Sequence, residues 1–305
     1  VKPVETIEAH APSLAARTGV GAVHLGVTDG ARALEFYRDA VGLTPLSAED
    51  DRVSLGAGSR ELVVLHPGAS GPVAPHHTGL YHLALLVPDR RELARAIARL
   101  FALRVPNSPT DHTMTKSDYL WDPDGNGIEI YCESPEDGRF IYGNDDFGAV
   151  DNEGRRRSGR DPIDLDELFG NLTADDQLDA PMPPETRMGH VHLHVRDAAE
   201  AVDFYHGVVG FDVMGLVPRI ALAFVSAGGY HHHLGLNEWA GHGIPPAPAG
   251  TSGLRHFTIE VPDAGEQEAV AGRLRDAGSE VSEDDGGYRA QDPSSNHFRL
   301  QVRGD

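Results

Sequence analysis

Short runs of alternating apolar and polar residues recur along this chain, and each is followed by a stretch with helical spacing. In residues 189–197 (GHVHLHVRD), Val191, Leu193 and Val195 share one face of an extended strand. His190, His192 and His194 share the other, because successive strand side chains point to opposite sides. The same alternation groups His82, Ala84 and Leu86, and it groups His256, Thr258 and Glu260. In residues 127–131, Ile128 and Ile130 pack inward while Gly127, Glu129 and Tyr131 face across. After each first strand comes an amphipathic pattern such as ALEFYRDAVGL, with Phe36, Tyr37 and Val41 on one side. Turns such as DPDGNG, rich in Pro and Gly, precede the last strands. Asp122 and Asp124 there are expected to form the turn and not to bind calcium, which needs more oxygens at fixed spacing.

The pattern repeats. Val27, Asp29, Phe36, Tyr37 and Gly42 match Val195, Asp197, Phe204, Tyr205 and Gly210 at one constant offset. His82, Val87, Pro88 and Asp89 match His256, Val261, Pro262 and Asp263 at another. WDPDGNGIEIY (121–131) matches QDPSSNHFRLQ (291–301). Each half of the chain therefore holds two units of the form βαβββ, four in all. The expected organisation is an N-terminal tail over 1–19, a first pair of units over 20–133 and a second pair over 188–305. Residues 134–187, polar and glycine-rich, read as a linker, with PIDLDELFGNL as a short helix. Each unit has one apolar face for its helix and one face free for chemistry. The class is α+β, and sheets curled with the polar side inward make cups.

Composition narrows the function. Of 305 residues, 47 are Asp or Glu and 26 Lys or Arg, a net charge of -21. Such a surface repels nucleic acid and anionic membranes, so neither is expected as a partner. Cys132 is the single cysteine, so no disulfide forms within the chain and a reducing cytoplasm is the expected compartment. The residues at the N-terminus show no apolar core of signal-peptide length, and no run approaches the ~18 residues that span a bilayer. The chain also holds 17 histidines, several clustered.

On these repeats the chain resembles the vicinal oxygen chelate superfamily of glyoxalases, bleomycin-resistance proteins and extradiol ring-cleaving dioxygenases, and among them catechol 2,3-dioxygenase-like enzymes. The resemblance covers all but the tail and the central linker. It implies that two units together form one cup around a metal. In extradiol enzymes the first-strand ligand lies seven residues before the strand-ending Asp. His82, His190 and His256 stand there, whereas the first unit has Ala22. The third ligand is a carboxylate on a last strand. Glu129 meets that requirement in the second unit, but the fourth has Arg299, which cannot ligate a cation. The usual pairing of units three and four thus lacks its carboxylate. Units two and three together supply His82, Glu129 and His190, so these two are expected to share the active cup, with units one and four paired as a non-catalytic one.

The resemblance further implies an acid–base histidine in the context His-x-Leu-Gly-Leu, met by His232 with His233 as rival; alternation would put His231 and His233 on the opposite face from His232. It implies a tyrosine ten residues before the ligand glutamate, Tyr119, and a histidine after Pro-Thr, His112, at a shorter spacing than usual. Two imidazoles and one carboxylate are the cage of non-haem Fe(II), and Mn(II) also tolerates it. The implied reaction is extradiol cleavage of a catechol-type ring by O2, with His232 moving the proton. Catechol, alkyl or chlorinated catechols and hydroquinones are all compatible, and exposed sheet faces leave room for a homo-oligomer. The alternatives are a glyoxalase-like metal-dependent isomerase or lyase, usually with two carboxylates, and a non-catalytic small-molecule binder, which needs no triad. A second metal in the other cup would draw on His24, His256, His297 and Glu260, against the charge of Arg299. His10, His66, His76, His77 and His242 read as loop or surface residues.

Overall fold

The computed structural model describes residues 12–49, 51–142 and 147–304. The first unit comprises β1 (Gly19–Val27), α1 (Gly30–Glu35) running into a π-helical turn (Phe36–Val41), β2 (Thr44–Glu49), β3 (Arg52–Ala57) and β4 (Arg60–Pro67). The second comprises β5 (Gly79–Leu86), α2 (Arg90–Ala102), β6 (Asn107–Asp111), β7 (Thr115–Trp121) and β8 (Gly127–Glu133). Between the halves lie β9 (Gly138–Tyr142), β10 (Phe147–Asp151), β11 (Arg156–Arg157), β12 (Asp161–Pro162) and α3 (Leu165–Phe169). The third unit holds β13 (Arg187–His194), α4 (Ala198–Phe204) with its own π-helical turn (Tyr205–Val209), β14 (Asp212–Val217), β15 (Leu222–Ser226) and β16 (Leu234–Asn237). The fourth holds β17 (Gly253–Val261), α5 (Ala264–Asp276), β18 (Ser282–Asp284), β19 (Gly287–Gln291) and β20 (His297–Val302).

The strand-ending aspartates are what start the helices. Asp29, Asp89, Asp197 and Asp263 each accept hydrogen bonds from backbone N–H groups of the first helical turn. That satisfies donors with no partner inside the helix, worth about 1 kcal/mol per cap. Gly42 and Gly210, matched in the two halves, end the π-helical turns at φ of 94° and 107°, backbone that glycine adopts without a Cβ penalty.

Two large sheets result, and neither belongs to one half of the chain. The order β12-β6-β7-β8-β5-β13-β16-β15-β14 joins units two and three; the order β18-β19-β20-β17-β1-β4-β3-β2 joins units four and one. The seams are antiparallel, β5 on β13 and β1 on β17. Within each unit the first strand runs parallel to the last, as β5 does to β8, the arrangement that a helical crossover requires. Val191, Leu193, Leu83, Leu85, Ile128 and Ile130 lie in one core with the helices and with the matching faces of β1, β4 and β17. Ala84, Leu86 and Tyr131 are buried apart from that core, on the cup side.

Several expectations change here. The N-terminal tail falls outside the described residues as far as residue 11; beyond it, Leu14 is buried and its N–H bonds to the Gly210 carbonyl. The segment 134–187 carries a three-stranded sheet of β9, β10 and β11, besides the expected short helix α3. No helix among the described residues is long and apolar enough to cross a membrane.

The other cup, of units one and four, contains His24, His66 and His256. His24 Nδ1 lies 3.0 Å from His66 Nε2, and the rings of His24 and His256 stack at 3.9 Å. His66 is therefore half-buried and hydrogen-bonded, not a free loop residue. His297 is exposed, and Glu260 pairs with Arg303 at 3.1 Å. The four residues weighed for a second metal do not converge: among the described residues, His82, Glu129 and His190 form the single group of three close enough to share an ion.

The DPxxN turns tie units together in pairs. Asp122 accepts from the backbone N–H of Asp124 and Asn126, from Asn126 Nδ2, and from the Tyr37 hydroxyl of unit one at 3.2 Å. Asp292 repeats this with Ser294, Asn296 and Tyr205 of unit three. Asp124 accepts from Thr28 and Arg32, so both acidic residues of the first turn are used structurally. Replacing Asp122 or Asp292 by Ala leaves several buried donors unpaired and is expected to destabilise by about 2–4 kcal/mol. Urea unfolding measures this, and a loss below about 0.5 kcal/mol, the scale of an ordinary surface change, would show that the turns are held some other way.

The buried histidines set an acid limit. Burial, then His256, holds His24 down to about 2, and burial, then Arg289, holds His256 to about 4. Burial also pushes His233 down to about 3. Unfolded, each takes a proton near the usual imidazole value of about 6.5. As pH falls from there toward 4, the unfolded chain binds protons that the folded chain refuses, and stability drops. Asp118, raised by burial to about 7, and Asp292, raised to about 6, act in the opposite direction, but His192 and His232 add to the histidine side. The thermal midpoint of the metal-free protein is expected to fall steadily from pH 6.5 to 4.5 in calorimetry. A flat or rising midpoint would contradict neutral buried imidazoles.

Candidate metal centre

The triad follows from register. On β5, Ala84 sits opposite His190 of β13 on one side and opposite Glu129 of β8 on the other. His82 lies two residues earlier, on the same face. Because Ala84 is only a methyl group, the flanking His190 and Glu129 side chains lean together above it. Gly189 is needed beside them, since a Cβ there would meet the Tyr131 hydroxyl at 1.8 Å.

His82 Nε2 is 3.1 Å from Glu129 Oε2, His190 Nε2 is 2.9 Å from the same oxygen, and the two nitrogens are 3.3 Å apart. All three residues are buried. A cation about 2.1 Å from each donor needs them about 3.0 Å apart on one face of an octahedron, so the triangle fits a divalent ion. The electrostatics agree. Burial pushes His190 down to about 4, leaving a neutral imidazole with a lone pair to give. Burial opposes ionisation of Glu129, but His190 and His82 outweigh it and hold the carboxyl well below its usual range.

The triad floors a cavity of about 320 Å³. His232 lines it, with its ring 4.2 Å from that of His190 and 4.5 Å from that of Phe224. His232 Nδ1 is 2.8 Å from His231 Nδ1, and His231 Nε2 is 3.1 Å from Glu133. If His231 donates to the carboxylate from Nε2, its Nδ1 accepts from His232, and His232 keeps its lone pair at Nε2. Burial holds His232 well below the usual imidazole value, so it is a neutral base. His233 turns away to Ser226 Oγ and the Ala227 N–H. The expectation that His231 faces opposite to His232 fails: both line the cavity, because residues 230–233 precede β16 and strand alternation does not apply to them.

Tyr119 and His112 also meet in the cavity. His112 Nδ1 is 2.5 Å from the Gly159 carbonyl and so carries the proton, which leaves Nε2 to accept from the Tyr119 hydroxyl at 2.8 Å. Burial and the Glu129 charge raise Tyr119 well above its usual value, so the phenol stays protonated.

Other lining residues were not anticipated. Tyr81 should face away from His82 by alternation, yet both enter the cavity. His192 pairs with His82 and Leu193 with Leu80, so Tyr81 is the extra residue of a β-bulge. His192, one of the three histidines of the opening pattern, lies beside His82 with ring centroids 5.0 Å apart. Phe140, Phe147 and Arg160 come from the segment between the halves, and Phe224 and Trp239 from unit three.

The comparisons with known proteins agree with this architecture. The model of the Glyoxalase/Bleomycin resistance protein/Dioxygenase superfamily matches residues 19–130 and 187–299. A catechol-2,3-dioxygenase of Bacillus subtilis (strain 168) is 39% identical over 284 residues, 92% of this chain and 96% of that protein. Two solved structures share the fold at low identity. One, from Bacillus subtilis subsp. subtilis str. 168, has a TM-score of 0.67 at 14% identity and covers 96% of this chain and 87% of its own. The other, glyoxalase I from Zea mays, has a TM-score of 0.56 at 17% identity, covering 93% and 92%. With all four repeats matched and a relative aligned along nearly its whole length, this chain belongs to the glyoxalase/bleomycin resistance protein/dioxygenase superfamily, the vicinal oxygen chelate proteins.

Proposed function

We propose that this protein is a non-haem Fe(II)-dependent extradiol dioxygenase that opens catechol-type rings with O2, with His82, Glu129 and His190 holding the iron. The observation that carries the reading is the triangle of 2.9, 3.1 and 3.3 Å between three buried donor atoms, above which a neutral histidine packs. The relative named catechol-2,3-dioxygenase supports the same reaction class. A single carboxylate in the donor set weighs against a glyoxalase-type isomerase, as the nearby Glu133 is occupied by Tyr230 and His231. A binding protein has no use for a buried anion shared by two imidazoles.

Held by His82, Glu129 and His190, the ion would supply the positive charge that acidifies a catechol hydroxyl and a place where ring and oxygen meet. The chain does the rest. His232 accepts a hydroxyl proton at Nε2 and returns it later, with Nδ1 steadied by His231 and Glu133. Tyr119, kept protonated and donating to His112, which Gly159 fixes in one tautomer, presents its hydroxyl oxygen to accept a hydrogen bond from a ring hydroxyl. Tyr81, Phe140, Phe147, Phe224 and Trp239 make aromatic walls suited to a flat ring and exclude water.

Protein purified without oxygen and loaded with ferrous iron is expected to bind one iron per chain and, with catechol in air, to consume oxygen while forming a yellow ring-opened semialdehyde. Glu129→Ala should weaken iron binding by more than the 10–100-fold typical of outer partners, whereas His256→Ala should leave the stoichiometry unchanged. Full iron in the first variant, or loss of iron in the second, places the centre elsewhere. His232→Phe should retain iron and lower kcat by about 10²–10⁴-fold. Turnover of a thiohemiacetal without oxygen consumption would identify an isomerase instead.

A further inference from the structure

We infer that Arg160 recognises an anionic substituent on the ring, so that the preferred substrates are catechols carrying a short carboxylate arm; this rests on the dioxygenase reading above. Arg160 is the single lysine or arginine among the described residues lining the cavity. Its guanidinium carbon stands 5.2 Å from the centroid of Trp239 and 5.9 Å from that of Phe147, both of them wall residues. The two rings hold the cation by its face and leave its edge, with five N–H donors in a fork, free to grip a carboxylate.

Among the described residues no such partner is present. Arg160 makes no side-chain hydrogen bond or ion pair among the described residues, in a protein where most of the other arginines do. The nearest acid in sequence, Asp161, is taken by Arg157 at 3.3 Å and Ser158 at 2.9 Å. The position is also fixed relative to the proposed iron: the preceding carbonyl, of Gly159, is anchored by His112, and His112 bonds to Tyr119. The charge of Arg160 is felt at Tyr81, Tyr119 and His112, so it acts on the same space that a ring would occupy. A net charge of -21 repels anions generally, which makes Arg160, with no carboxylate partner among the described residues, the local attractor. A cavity of about 320 Å³ is at the small end for ligand pockets, a size that suits a ring with a short arm.

The test compares 3,4-dihydroxyphenylacetate with its uncharged amide, of nearly equal size, binding anaerobically to the ferrous-loaded protein in a calorimeter. The wild type should bind the acid about tenfold or more tighter, as one charge-assisted contact supplies. In Arg160→Gln the acid should fall to the affinity of the amide, the amide should change by less than about threefold, and Arg160→Lys should restore part of the preference. Equal affinities in the wild type, or a preference that survives Arg160→Gln, would overturn the assignment while leaving the dioxygenase reading intact, provided catechol itself still binds and is opened. If no catechol binds, both fall together.

Discussion

The antiparallel seam between β5 and β13 is the constraint on which the centre depends. It is a ladder between strands more than a hundred residues apart in sequence, and it sets His190 beside Ala84 and His192 beside His82. In a strand the side-chain period is two, so a slip of one residue would send every imidazole to the helix side and every valine into the cup. Two bulges adjust the register locally. One, at Gly189, lets the backbone pass under the Tyr131 hydroxyl; the other, at Tyr81, turns an aromatic ring into the cavity next to His82. The hydrophobic core behind the sheet resists any such slip, because Val191, Leu193, Leu83 and Leu85 are all fully buried there. Packing on one face thus fixes the chemistry on the other.

The segment between the halves does more than connect them. Its three-stranded sheet and the short β12, paired to β6, bring Phe140, Phe147, Gly159 and Arg160 against the cup. Gly159 settles the tautomer of His112 through its carbonyl, and Arg157 ties to both Asp151 and Asp161. Part of the wall, the His112 tautomer and the charge of Arg160 therefore come from residues outside the repeats.

Much of this was legible in the sequence, for a physical reason. Strand alternation and strand-ending aspartates are local rules, so the four units, their helix starts and the faces carrying His82, Glu129 and His190 could be read directly. The sheet partnership followed from the ligand places that the resemblance to extradiol enzymes implies, since Arg299 cannot stand in for a carboxylate. What stayed hidden breaks local rules. Tyr81 enters through a bulge, His231 through an irregular approach to β16, and His66 through a contact with His24 from a strand end. Arg160 and the phenylalanines lie in a polar, glycine-rich stretch whose composition gives no period at all, and the short β-ladders there depend on partners that no spacing announces.

The two cups show how little separates a triad that could hold an ion from a cup without one. Apart from β12 at the edge of the first, both have the same strand order and the same kind of seam. Where the first has Ala84 beside Glu129, the second has Thr258 beside Arg299. Where the first has His190, the second has Ala22. One substitution replaces an acceptor with a fixed cation and another removes a donor. The histidines that remain turn to each other: His24 bonds to His66 and stacks on His256, each neutral because burial and nearby arginines disfavour a proton. Arg299 bonds to the carbonyls of Asp284 and Asp285 and lies near the Asp284 carboxylate, which Arg289 also engages. A cation entering there would meet the charge of Arg299, and among the described residues no group of three donors close enough to share an ion stands there. The fold supplies the cup in both places; the side chains at two strand positions, a carboxylate and an imidazole, decide whether three donors stand close enough to share an ion.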